Sequence, residues 1–183
     1  MKIFYTDGST RIKNQKGVDN VGGWGVVCFS DENENIIYDL ESNASINTTN
    51  NREELKALIW ALNIADDQFP KEECIIYSDS AYVVNMCNDW IWTWASNGWK
   101  NSKKQTVENL DLVQEIWKHI SKEFYHCKIK KCSGHAGEVG NEIADALARG
   151  YNNRVRDLIE TWEIKYENPE PSLLLQAFLG MLD

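Results

Sequence analysis

Proline is scarce in this chain, at 3 of 183 residues, and glycine reaches only 11. A fibrous or proline-rich protein is therefore excluded. No run approaches the roughly 18 apolar residues of a membrane span, so no membrane association is expected. Positive charge is also in short supply. Lysine and arginine number 19 against 28 acidic residues, a net charge of −9. On average this argues against a polyanionic partner. The five cysteines (Cys28, Cys74, Cys87, Cys127 and Cys132) are odd in number and include no CxxC pair, so they read as reduced thiols. Cys127, Cys132 and His135 match no common zinc spacing, and a fourth ligand is missing. The opening MKIFYTDGST meets Asp7 too early for a secretory signal, and a cytoplasmic location is expected.

What is present is ordinary globular composition, 43% hydrophobic and 26% charged, enough for one core of domain size. The charge average hides an exception. Between Trp90 and Val107 there is no Asp or Glu, while Lys100, Lys103 and Lys104 share that stretch with Trp90, Trp92, Trp94 and Trp99.

Hydrophobic patterning divides the chain. KIFYTDG, GWGVVCFS and IIYDLES read as three strands of an antiparallel meander, with DENEN as a hairpin turn. Thr48, Thr49 and Asn50 are N-cap residues for a helix whose buried stripe is Leu55, Leu58, Ile59 and Leu62. CIIYSDS is a short buried strand ending at Asp79. Residues 81–90 suit a second helix. Leu110, Val113, Trp117, Ile120 and Phe124 space out a third, HCKIKKCS a fifth strand, and residues 141–149 a further helix. The order β-β-β-α-β-α-α-β-α implies one mixed sheet with helices against its faces. A right-handed crossover sets the first and fourth strands side by side and parallel. Two parts are expected: residues 1–150, and an appendage 151–183 made of a linker around NPEP and a short apolar helix.

Four carboxylates stand out. Asp7 and Asp79 each end an apolar run. Either residue alone reads equally as a turn cap, but on adjacent parallel strands the two sit where α/β sheets bind ligands. Of Glu53 and Glu54, one can point toward the sheet ends, and Glu54 borders the buried face. Asp145 lies within ADALA, whose small residues let a helix approach a sheet closely. Four converging carboxylates without matching Lys or Arg repel one another unless divalent cations neutralise them. Hard oxygen donors suit Mg²⁺ or Mn²⁺, and two such ions form a clamp for phosphodiester cleavage.

Residues 2–150 resemble ribonuclease H of type 1. The matching pieces are YTDGS, GGWG, TNNREEL, YSDSAYV, W-x3-W at 90–94, GWK, NLDL, GHAG and GNEIADALA, in the family's order and spacing. The resemblance implies an α/β ribonuclease H-like fold: a five-stranded mixed sheet in the order 3-2-1-4-5, with helices on both faces. It implies an endonuclease that cuts the RNA strand of RNA–DNA hybrids without sequence specificity. Two Mg²⁺ ions, or Mn²⁺, would bind Asp7, Glu54, Asp79 and Asp145, and the products would carry a 5′-phosphate and a 3′-hydroxyl. His135 matches a residue of proton handling and product departure. Asn50 and Asn51 match minor-groove contacts, and Thr49 and Asn109 a phosphate pocket. Tyr82, Trp90 and Trp94 match an aromatic channel under the DNA strand, although tryptophans at these positions also suit core packing. Lys100 lies in the basic protrusion. The loop after Ser9, with Asn14 among its polar residues, is longer than the family's usual one. A DNA nuclease or resolvase on the same fold, or a non-catalytic hybrid-binding module, are the competing readings. A monomer is expected, with the tail (Gln176, Phe178, Leu179 and Leu182) either docked on its own domain or serving as a partner-binding peptide.

Overall fold

The computed structural model describes residues 1–11, 20–132 and 137–180. Its centre is a twisted mixed sheet. β1 (Lys2–Arg11), β2 (Val21–Phe29) and β3 (Ile36–Ile46) form the expected antiparallel meander. β4 (Cys74–Ser78) lies parallel to β1, and β5 (Cys127–Lys131) parallel to β4. The five-strand order is therefore the expected one. The correction is a sixth strand, β6 (Lys165–Tyr166), parallel to the start of β3, which makes the sheet β5-β4-β1-β2-β3-β6. Two residues carry no periodicity, so patterning has no means of marking this strand.

The strands are apolar on both faces because helices cover both. On one face α1 (Asn50–Gln68), α2 (Ala81–Asn85), α3 (Ile91–Ser96) and α4 (Leu110–Ile120) enclose Phe4, Val26, Cys28 and Ile76. On the other, α5 (Val139–Ala148), α6 (Asn152–Thr161) and α7 (Leu173–Phe178) enclose Ile3, Val27, Phe29 and Leu40. Thr49 caps α1, its hydroxyl accepting from the Arg52 amide at 3.3 Å. Leu55, Leu58 and Leu62 form its fully buried stripe. The close approach of α5 depends on small residues at both surfaces. A Cβ added to Gly25 of β2 would lie 2.4 Å from the Ala144 carbonyl oxygen.

Two helices differ from expectation. The one predicted over 81–90 runs on to Ser96 through a π-helical turn at Met86–Trp90, which joins α2 to α3. The extra residue in that turn shifts the facing of the tryptophans that follow. α4 ends at Ile120, where the Ser121 hydroxyl bonds the Trp117 carbonyl and the chain turns toward β5. Phe124, read as the last member of the α4 stripe, is instead 84% exposed, and Ile116 takes a buried place in that stripe.

Beyond α5 the chain holds more than a linker and one helix. Val155 and Leu158 of α6, then Ile164, enter the second core before β6 forms. The Ser172 hydroxyl donates to the Leu40 carbonyl at 2.8 Å, and Leu175 of α7 is fully buried. Phe178 and Leu179 pack partly buried on the same core. Each apolar side chain buried this way stabilises the docked segment by roughly 1.5–3 kcal/mol before ordering costs. Among the described residues, no helix is long and apolar enough to cross a membrane.

Candidate active site

The site is a step in the sheet. β1 does not end at Asp7, as the sequence suggests, but runs on to Arg11 paired with β2. Its other neighbour, β4, stops at Ser78 opposite Thr6. Asp7 and Asp79 therefore follow immediately after the last β1–β4 pair. The first turns of α1 cross this step closely. A Cβ at Gly8 would lie 2.2 Å from the backbone nitrogen of Glu54, so glycine is required for the approach. Carboxylate oxygens of Asp7, Glu54 and Asp79 all lie within 4.8 Å of one another.

Neighbouring glutamates separate cleanly. Glu53 is fully buried but satisfied: it accepts from Thr48 Oγ1 at 2.5 Å, Ser45 Oγ at 3.2 Å and Lys56 Nζ at 2.7 Å. Glu54, only 4% exposed, receives a long 3.5 Å contact from Asn50 Nδ2 at one oxygen. Its Oε2 is buried without a hydrogen-bond partner among the described residues. An orphaned carboxylate oxygen facing two other carboxylates is costly unless a cation completes it.

The electrostatics agree. Burial first, then the charges of Asp79 and Asp145, pushes Asp7 up to about 7. Burial, then Asp7 and Asp79, pushes Glu54 up to about 9. Asp79 is raised by burial and by Asp145, while Lys131 and a hydrogen bond from Asn141 pull the other way. Protons and divalent cations compete for the same oxygens, and this donor set of hard oxygens fits Mg²⁺ or Mn²⁺.

Asp145 stands apart from the tight trio. It projects from α5, its side chain 43% exposed, and its Oδ1 accepts from Arg149 Nε at 2.7 Å. It still acts on Asp7 and Asp79 through its charge. Asn141 was not singled out in the sequence. It is buried on α5, opposes the rise of the Asp79 carboxyl, and accepts from Cys132 Sγ at 3.4 Å.

The residues matched to substrate contacts lie at the start of α1, on the α2–α3 stretch, on the loop beyond it and at the start of α4. Arg52, also not singled out, links them. Its amide bonds Thr49 Oγ1, and its guanidinium reaches Asn109 Oδ1 at 3.4 Å and grips Asp111 with two bonds at 2.7 and 3.0 Å. Asn109, at a positive φ of 55°, stands at the start of α4. From Tyr82 the rings continue to Trp90 at 6.1 Å and Trp94 at 5.9 Å between centroids. Trp90 is exposed and Trp94 half-buried; Trp92, though exposed, and Trp99 set their rings edge-on to Trp117. Asn50 is exposed and Asn51 half-buried at the start of α1. Lys100, Lys103 and Lys104 are exposed on the loop beyond α3, where Lys100 Nζ bonds Thr106 Oγ1 at 3.1 Å. The only sequence signal for Arg52 and Asn141 is their place inside the TNNREEL and GNEIADALA pieces. His135, Asn14 and Leu182 lie outside the described residues.

The comparisons with known proteins converge. The RNase H family model matches residues 1–152. The ribonuclease H of Francisella tularensis subsp. novicida is 38% identical over 159 residues, which cover 86% of this chain and 92% of that protein. The solution structure of the PFV RNase H domain has 28% identity and a TM-score of 0.70, covering 81% of this chain and 92% of that one. The crystal structure of LC9-RNase H1, a type 1 RNase H, has 25% identity and a TM-score of 0.68, covering 95% of this chain and 89% of that one. On the match to residues 1–152 and on these relatives, the chain belongs to the RNase H family of hydrolases.

Proposed function

We propose that the chain hydrolyses the RNA strand of RNA–DNA hybrids at the step between β1 and β4, using two divalent cations, Mg²⁺ or alternatively Mn²⁺. The observation that carries this reading is the buried, partnerless Oε2 of Glu54 beside Asp7 and Asp79. Asp7, Glu54 and Asp79 would hold the cations most closely, with Asp145 completing the set from α5. Bound there, the ions would lower the pKa of an attacking water and neutralise charge on the departing 3′ oxygen. The products are then a 5′-phosphate and a 3′-hydroxyl.

The chain's own residues supply the positioning. Asn141 orients Asp79, and Gly8 lets Glu54 reach the step. Thr49, Asn109 and Arg52 surround a place for a backbone phosphate of the DNA strand. Tyr82, Trp90 and Trp94 offer ring faces to its sugars and bases. Asn50 and Asn51 sit beside Glu54, where the minor groove of the hybrid would lie. His135 is assigned proton handling and product departure on the resemblance. Contacts of this kind position a duplex without reading its sequence.

A labelled panel of hybrid, duplex RNA and duplex DNA, with Mg²⁺ and with a chelator, tests the reading. Metal-dependent loss of the RNA strand of the hybrid alone is expected. Cleavage of duplex DNA would favour a DNA nuclease on this fold. Binding without turnover would favour a hybrid-binding module.

A further inference from the structure

A second group of ligating side chains lies at the opposite end of β4. Cys74 lies five positions before Asp79, about 17 Å along an extended strand. Cys74 and Cys127 open the parallel pairing of β4 with β5 as direct register partners. Both are buried, on the face covered by α1. Their sulfurs and a ring nitrogen of His126 all lie within 4.8 Å of one another. The pattern escaped the sequence because Cys127 meets Cys74, 53 positions earlier, rather than Cys132. Cys132 instead bonds Asn141 beside the carboxylates.

We propose that Cys74, His126 and Cys127 form a zinc site, separate from the carboxylate centre, that ties β5 to β4 and to α1.

Four features support it. First, zinc–sulfur and zinc–nitrogen bonds of about 2.3 and 2.0 Å place tetrahedral ligand atoms about 3.5–3.8 Å apart. The observed atoms lie within 4.8 Å of one another, about 1 Å wider than this at most. Second, His126 Nε2 lies 3.3 Å from the Ala65 carbonyl oxygen of α1. A carbonyl only accepts, so Nε2 carries the proton and Nδ1 keeps its lone pair. A backbone carbonyl that takes the proton of one ring nitrogen leaves the other free to bind a metal. Third, the Tyr125 hydroxyl, next to His126 in the chain, is buried without a hydrogen-bond partner among the described residues. Fourth, Cys127 lines a cleft of ≈ 340 Å³ together with Cys87, Asn88, Trp92 and Tyr125.

The donor set selects the ion. Two thiolates and an imidazole are soft donors that disfavour Mg²⁺. Two thiolate charges neutralise Zn²⁺, which suits a buried apolar setting. Cys74 Sγ donates to the Glu72 carbonyl oxygen at 3.7 Å, a weak contact that leaves both sulfurs open to a metal. Binding involves no redox change: two S–H bonds break, two Zn–S bonds form, and two protons pass to solvent. Water or the Tyr125 hydroxyl takes the fourth position.

The test uses the full chain, reduced with a phosphine, with Mg²⁺ in excess to fill the carboxylates and cobalt(II) as the probe. One equivalent of cobalt should produce a thiolate-to-cobalt charge-transfer band, which zinc then bleaches. The band should persist in Cys28→Ser and Asp7→Asn. It should vanish in Cys74→Ser and Cys127→Ser, with zinc affinity reduced more than about 100-fold, beyond the usual loss on removing a supporting residue. Should either serine variant fail to fold, alkylation of the wild-type chain decides: zinc should protect Cys74 and Cys127 but leave Cys87 labelling unchanged. Absence of the band, a band that survives both serine substitutions, or equal protection of Cys87 would each overturn the site.

Discussion

Asp145 and Arg149 sit one turn apart on α5, and the carboxylate accepts from the guanidinium at 2.7 Å. Of the four carboxylates at the step, Asp145 brings its own counter-charge, whereas Asp7, Glu54 and Asp79 lie in a mutually repelling trio. A cation that reaches Asp145 must therefore compete with Arg149. Both side chains are nearly half exposed, so the pair is worth only about 0.2–1 kcal/mol. Arg149→Gln should lower the Mg²⁺ concentration for half-maximal cleavage by about two- to fivefold. Turnover at saturating Mg²⁺ should stay within about twofold, a loss well short of what displacing a metal ligand would cause. Magnesium titrations of both proteins on the same hybrid check this, and an increased magnesium requirement would contradict the competition.

Asp7→Asn should reduce cleavage by more than about 100-fold, the scale on which misplaced reacting groups fail. Hybrid binding should survive, because the aromatic and lysine surface is untouched. Near-native turnover of this variant in Mg²⁺ would remove Asp7 from the metal-binding set.

The same substitution bears on pH. Asp7 is raised from 3.8 to about 7 and Glu54 from 4.5 to about 9. In the chelated protein, the folded state therefore binds more protons than the unfolded state between about pH 4 and 9. Stability from these groups is fully present below their unfolded values and is lost as pH rises through 7 and 9. Urea denaturation in chelator should show wild-type stability falling from pH 5 to pH 8. Asp7→Asn should flatten that decline and be more stable at pH 8 by about 1–3 kcal/mol. Mg²⁺ should remove most of the difference for the wild type. A wild type more stable at pH 8 than at pH 5 in chelator would contradict the assignment.

Glu53 and Glu54 should fail in different ways. Glu53→Gln disturbs a fully buried, satisfied carboxylate paired with Lys56, so its cost is stability, about 1–3 kcal/mol, with turnover largely kept. Glu54→Gln removes the charge from an unsatisfied group. It should lose most activity while leaving the melting temperature in chelator unchanged or raised. Equal losses of activity in the two variants would show that the choice between the glutamates is wrong.

Salt dependence tests the basic loop. Lys100, Lys103 and Lys104 are exposed beyond the aromatic rings. If about three phosphates are neutralised there, log affinity should fall against log salt with a slope of about −2 to −3. Measured on Asp7→Asn at fixed Mg²⁺, the slope should largely flatten when all three lysines become alanine. A steeper slope, or one indifferent to the substitutions, would move the binding surface elsewhere, for instance to Lys128, Lys130 and Lys131.

Much of this molecule is legible in its sequence. Alternation and helical spacing located β1 to β5, α1 and α5, because each element buries one continuous apolar surface whose period is written locally. The carboxylates were legible for the opposite reason: Asp7 and Asp79 interrupt apolar runs where packing alone would not place a charge. The sequence by itself thus determined five strands of the sheet, the parallel β1–β4 crossover and the placing of Asp7 and Asp79 at the end of that pairing. Tertiary structure decided the rest, because burial and pairing depend on partners distant along the chain. Glu54 rather than Glu53 joins the trio because Glu53 is captured by Thr48 and Lys56. Phe124 is exposed because the chain turns before its helical period would bury it. Arg52 acquires a role only when α4 brings Asn109 and Asp111 to it. Cys127 finds Cys74 only because two parallel strands align in register, and a register is a relation between segments that neither segment encodes alone.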